Sequence, residues 1–177
     1  MKAIGRDRFS IWTYASFNQT LKITSTKKNM KTVFDKQTRD ELIQRINTID
    51  EHKTAQWGKM NVYQMLKHCT IWEDWVRAEQ PHQQAFIGRL FGRMALKKVL
   101  KDDSPFPHST PTLPILIIKE QSGDIESEKR KWVAFVEQYA NYTNPVFVHT
   151  FFGKMTREQV GQLAYKHNDH HLRQFNC

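Results

Sequence analysis

With 177 residues, 39% of them hydrophobic and 25% charged, the chain has the size and balance of one compact domain, not of a disordered or collagen-like polymer. Its longest apolar runs, such as Pro114 to Ile118, fall far short of the ~20 residues that cross a bilayer, which excludes a transmembrane helix. The formal charge of +9 comes from 27 Lys and Arg against 18 Asp and Glu, and its distribution says more than its size.

Residues 1–29 carry Lys2, Arg6, Arg8, Lys22, Lys27 and Lys28 against Asp7 alone. They read as an N-terminal extension, either a flexible arm or a stretch upstream of Met30, with residues 30–177 as the domain. Elsewhere basic and acidic residues interleave as on a solvated surface. No nucleic-acid-binding motif follows the arm, so neither nucleic acid nor a membrane is expected as a partner. Phe9 to Phe17 is interrupted by Ser10, Thr13 and Ser16, leaving no apolar core for a secretion signal. Cys69 and Cys177 cannot build a disulfide framework and show no CxxC spacing, so a reducing cytoplasm is the expected location.

The first organised pattern is Thr38-Arg39-Asp40-Glu41, a hydroxyl with a carboxylate three residues on, ahead of Leu42, Ile43, Ile46 and Ile49. It predicts a helix over 38–50 with Thr38 as its N-cap. Asn61 with Gln64 opens a second helix, carried by its periodicity to about Gln80 and stopped by Pro81. A shorter amphipathic helix is expected over 86–100, weakened by Gly88 and Gly92. Pro105, Pro107, Pro111 and Pro114 then make a long extended crossover. Ile125, Trp132, Val133, Val136 and Tyr139 predict a helix over 125–140, and Thr156 with Gln159 opens the last one, to about Phe175. Strand signals are weak, the best being Leu116 to Ile118 and Val146 to Val148. The fold class that follows is all-α, a bundle of four long helices with a long crossover and a short extra helix.

Eight histidines are the chemical anomaly, and three cluster near the end at His167, His170 and His171. At about 100° per residue, Val160, Leu163, Ala164, His171 and Gln174 all fall within about 60° of His167, so the His167–His171 pair lies in the apolar stripe while Asp169 points out. The same construction from His68 gathers Met65, Ile71, Trp72 and Trp75 around it, so His68 is inward too. A single inward histidine is ordinarily a hydrogen-bonded core residue. Three on facing helices are costly to bury unless their ring nitrogens are satisfied, and a shared divalent metal satisfies all three. The pair lacks the internal Glu of HExxH, which removes a metalloprotease reading. Cys69, about 100° from His68, is expected to pack beside the site, and His149 to serve its own loop.

His68 on the second helix with His167-x-x-His170-His171-x-x-Gln174 on the last, together with Trp57-Gly58-Lys59-Met60 and Phe152-Gly153-Lys154-Met155-Thr156, resembles a subgroup of the DinB-like, YfiT-type superfamily of four-helix metalloproteins. The resemblance covers residues 30–177. It implies a DinB-like four-helix bundle, a bacterial and cytoplasmic protein, and a divalent ion, zinc or nickel, held by His68, His167 and His171. It also implies metal-dependent activation of a thiol or water, thiol-dependent S-transfer with a low-molecular-weight thiol co-substrate, and a small-molecule substrate. Homodimers are common among such bundles. Three imidazoles leave a coordination position open, unlike a closed structural zinc site. His170, Gln174, Trp72 and Trp75 are candidates for orienting the ligands or walling the pocket. The alternative is a non-catalytic metal- or small-ligand-binding protein.

Overall fold

The computed structural model describes residues 30–78, 82–108, 110, 112–144 and 147–177. The N-terminal extension, Pro81, Pro111 and Val146 therefore lie outside the described residues. Five helices dominate: α1 (Lys36–Asn47), α2 (Val62–Arg77), α3 (Phe86–Val99), α4 (Ile125–Gln138) and α5 (Arg157–Gln174). Helix α2 packs on α4 and α5, and α1 packs on the same two. Leu42, Ile46, Met65, Leu66, Trp132, Val136, Val160 and Leu172 meet between them as the core. Among the described residues the protein is all-α apart from one short hairpin, β1 (Val148–His149) and β2 (Gly153–Lys154), antiparallel with Val148 opposite Lys154.

Two of the helix starts form the expected capping boxes. The Gln64 N–H donates to Asn61 Oδ1 at 2.9 Å while the Asn61 N–H donates to Gln64 Oε1 at 3.1 Å. Thr156 and Gln159 repeat the arrangement at α5. The first helix corrects its expectation. Its N-cap is Asp35, whose carboxylate accepts from the Thr38 N–H at 2.8 Å, and Thr38 lies buried inside the first turn. Asp is an equally good cap and extends the helix towards the N-terminus. At the other end α2 stops at Arg77 with Ala78 as its cap, short of Gln80.

Leu116 to Ile118 is no strand. Pro114 to Leu116 is a 3-10 turn closed by the Ile117 N–H on the Pro114 carbonyl at 3.2 Å. The carbonyls a ladder would use accept side chains instead: Leu116 takes His68 and Ile118 takes Gln64. With Asn61 Nδ2 donating to the Gln121 carbonyl at 2.7 Å, these bonds pin the end of the Pro-rich segment along the first half of α2.

The connection between α2 and α4 runs from residue 78 to 124 and contains α3. That helix meets the rest of the protein through Gly88, Gly92 and Leu96. A Cβ at either glycine would fall on the Phe151 carbonyl, so the absence of side chains there allows α3 to rest on the hairpin turn.

Candidate metal centre

Helices α2 and α5 bring three histidines to one point. The ligand-capable ring atoms of His68, His167 and His171 all lie within 4.8 Å of one another. Nε2 of His68 and Nε2 of His167 are 3.2 Å apart, close to the ~3.3 Å that two imidazoles on one tetrahedral zinc adopt with bonds of ~2.0–2.1 Å.

Hydrogen bonds fix which nitrogen of two rings is bare. A carbonyl oxygen only accepts, so His68 must carry its proton on Nδ1 to reach the Leu116 carbonyl at 2.8 Å, leaving a lone pair on Nε2. Nδ1–H of His171 donates to Gln174 Oε1 at 2.9 Å, and the amide is oriented by its own donation from Nε2 to the Trp57 carbonyl at 2.8 Å. Each ring thus has the outer-sphere carbonyl partner typical of a metal-ligating histidine. His167 differs, with Nδ1 buried and unpartnered. Trp57 Nε1 is likewise buried and unpartnered, on a ring that packs against His108 and His170.

Burial keeps the rings neutral. It lowers the pKa of His68 against the opposing pull of the Leu116 carbonyl. It drives His167 and His171 well below the ordinary imidazole range, helped by the neighbouring histidines. Neutral imidazole is the form that offers a lone pair to a metal. Among the described residues no carboxylate belongs to the cluster. Three neutral nitrogen donors would leave a bound divalent ion its full charge, the condition under which it most strongly acidifies a further ligand.

The nearby buried carboxylates hold helices in place. Glu73 on α2 accepts from Arg77 at 2.7 Å, from Tyr139 at 2.5 Å and from Asn168 at 3.0 Å, and Trp132 Nε1 donates to Asn168 Oδ1 at 2.6 Å. Since Asn168 follows His167 directly, this network sets the rotation of α5 against α2 and α4. Asp169 corrects the expectation that it points to solvent. It is buried and bridges Arg45 of α1 at 2.8 Å and Arg173 at 2.7 Å. Helix α5 is covered on two sides, by α1 and by α2, so both sides of its wheel are interior and polar residues there are paired.

The remaining sequence candidates fall in different places. Trp72 stacks on His167 with ring centroids 4.1 Å apart and walls the cluster, and Gln174 holds His171. His170 packs against His171, Trp57 and Phe106. It lines a cleft of about 570 Å³ with Arg45, Trp57, Phe106, His108 and Arg173 among its other walls. Trp75 sits with His82, Phe147 and His149. His149 serves its loop, with Nδ1 accepting from the N–H groups of Phe151 and Phe152. Cys69 is buried beside Met65, and burial, reinforced by the charge of Glu73, pushes its thiol pKa well up, which removes it as a nucleophile.

Periodicity did not reveal Trp57, His108 or the Leu116 carbonyl. Trp57 stacks on His108 of the Pro-rich segment at 3.9 Å, a contact across the chain for which no spacing rule exists. The run of prolines was the available signal, since it marks a stiff segment able to lie over a site.

Fold and cluster together define an all-α protein whose three clustered histidines could hold a metal ion. The family described as Protein of unknown function (DUF1569) matches residues 28–177, and the chain belongs to that family. No curated protein and no solved structure matches it.

Proposed function

We propose that the protein is a divalent-metal-dependent enzyme of the DinB-like, YfiT-type class, with zinc or nickel held by His68, His167 and His171, acting on a small-molecule substrate in the cytoplasm. The observation that carries this reading is the pair of fixed tautomers. His68 and His171 each spend their proton on a carbonyl acceptor and turn a bare nitrogen towards the cluster, beside a third neutral ring. The closed circuit of packing α2–α4–α1–α5 supports a four-helix bundle, with α3 and the Pro-rich segment as its long crossover.

An ion bound there would act as a Lewis acid, lowering the pKa of a thiol or water in its open position so that a nucleophile exists at neutral pH. The chain's own residues do the rest. The Leu116 carbonyl and Gln174 hold two rings in the ligating tautomer, Trp72 closes one side to water, and the Glu73–Asn168 network keeps α5 from rotating. The cleft beyond His170 offers the aromatic walls of Trp57, Phe106 and His108 to a small substrate, while its two guanidiniums, Arg45 and Arg173, are already engaged by Asp169. We assign the reaction class as thiol-dependent S-transfer: the thiol loses its proton to bulk water, its sulfur bonds to an electrophilic carbon, and the bond from that carbon to the leaving group breaks with the pair departing on the leaving group.

The test is thiol consumption by the zinc- or nickel-loaded protein with small thiols and a chromogenic electrophile, with His171→Ala alongside. Metal-dependent turnover absent from the variant is expected. Full metal occupancy without turnover by any thiol, or of any water-labile ester, would reduce the metal to a staple of the bundle and favour a non-catalytic binding protein.

A further inference from the structure

Helix α3 wears its large apolar side chains on the outside. Phe86, Ile87, Leu90, Phe91 and Met94 are between 47% and 76% exposed. At about 100° per residue they form a single stripe roughly 140° wide. The helix cannot roll to hide it, because the side that meets the hairpin is Gly88 and Gly92, where any Cβ would strike the Phe151 carbonyl. A contiguous stripe of this kind marks a contact surface.

Charge selects what covers it. Arg89, Arg93, Lys97, Lys98 and Lys101 border the stripe, all exposed, with no Asp or Glu from Ala85 to Lys101. Among the described residues Arg89, Arg93, Lys97 and Lys98 have no ion-pair partner, whereas Lys101 acts on the carboxylate of Asp102 beside it. A second copy meeting α3 on α3 would set two such cation sets face to face. The segment 1–29 has the same sign, six basic residues against Asp7. An uncharged apolar groove would leave the cations unanswered. An anionic lipid surface answers both features at once, since it takes apolar side chains at the acyl boundary and places phosphates beside the lysines and arginines.

We propose that α3 docks the protein on anionic lipid bilayers, with Phe86, Ile87, Leu90, Phe91 and Met94 sunk into the interface and Arg89, Arg93, Lys97 and Lys98 against the headgroup phosphates. This revises the expectation that a membrane is no partner. No described helix is long and apolar enough to cross a membrane, but a helix lying in the surface needs neither that length nor uniform hydropathy.

The test is co-sedimentation of the full chain with vesicles of equal parts phosphatidylglycerol and phosphatidylcholine, and with phosphatidylcholine alone. Binding to the anionic vesicles only is expected. Leu90→Ser/Phe91→Ser and Arg93→Gln/Lys97→Gln should each weaken it at least about tenfold without lowering the thermal midpoint. The charge pair touches no packing, so it keeps the test decisive even where the apolar pair disturbs folding. Absence of binding overturns the proposal, as does undiminished binding by both variants, which would place the contact in residues 1–29 or elsewhere. A wild-type dimer that Leu90→Ser/Phe91→Ser converts to monomer, with no lipid binding, would assign the stripe to a second copy.

Discussion

Helices α5 and α3 depart from the usual rule of apolar inside and polar outside in opposite directions. Helix α5 buries Lys166, Asn168, Asp169, His170, His171 and Gln174, whereas α3 exposes Phe86, Ile87, Leu90, Phe91 and Met94. Buried polar groups cost stability unless paired, and exposed apolar ones waste the burial they could have had. On α5 nearly every such group has a partner: Lys166 on the Asp102 carbonyl, Asn168 on Glu73, Asp169 on two arginines, His171 on Gln174. The outer face of α3 has no such cover among the described residues. One helix is organised around an internal site and the other around an external surface.

The sharpest way to break that contrast is at the histidines. Each of His68→Ala, His167→Ala and His171→Ala should lose more zinc affinity than the ~10–100-fold that removing an outer-sphere partner costs, read by competition with a chromogenic chelator. Next in size is Glu73→Ala, which strips the shared acceptor from Arg77, Tyr139 and Asn168. Breaking a buried ion pair from one side costs about 3–5 kcal/mol, measurable in urea unfolding.

Acid should destabilise the metal-free protein through its buried histidines. Burial, reinforced by His82 nearby, lowers His149 from 6.5 to about 4. Between those values the unfolded chain binds a proton that the folded chain refuses, so stability is complete above 6.5 and lost as pH falls through the window. This one side chain accounts for about 3 kcal/mol at the acid end. His68, His167 and His171 act in the same direction. Urea midpoints at neutral pH and near the His149 pKa, compared with those of His149→Asn, check the sign and the share.

Gln174→Ala sharpens the account of the tautomers. It removes the acceptor of His171 Nδ1–H while leaving all three rings, so zinc affinity should fall ~10–100-fold with the stoichiometry unchanged. The smallest effect belongs to α3. Leu90→Ser should alter the unfolding free energy by no more than about 0.5 kcal/mol, where the same change at Leu66 or Leu172, both fully buried, would be severe.

Much of this was legible in the sequence because it is local. The Asn61–Gln64 and Thr156–Gln159 boxes announce α2 and α5 within four residues, and helical spacing alone puts His68, His167 and His171 on inward stripes. The failures are those of arguments confined to one helix. Asp169 looked outward because a wheel drawn for α5 by itself assumes one wet side, and its partner Arg45 lies 124 residues away. Leu116 to Ile118 gave one of the two best of the weak strand signals because periodicity cannot see that Gln64 and His68 claim its carbonyls. The exposed stripe of α3 was hidden by the same assumption reversed, since an amphipathic pattern shows that two faces differ and not which one is covered.

Elemental analysis of protein purified without an affinity tag asks whether the three histidines hold a metal. Near-stoichiometric zinc or nickel is expected in the wild type, as isolated or after incubation with either ion, and little in a correctly folded His68→Ala/His171→Ala variant. A wild type that takes up neither ion, or a variant that keeps as much as the wild type, would contradict it.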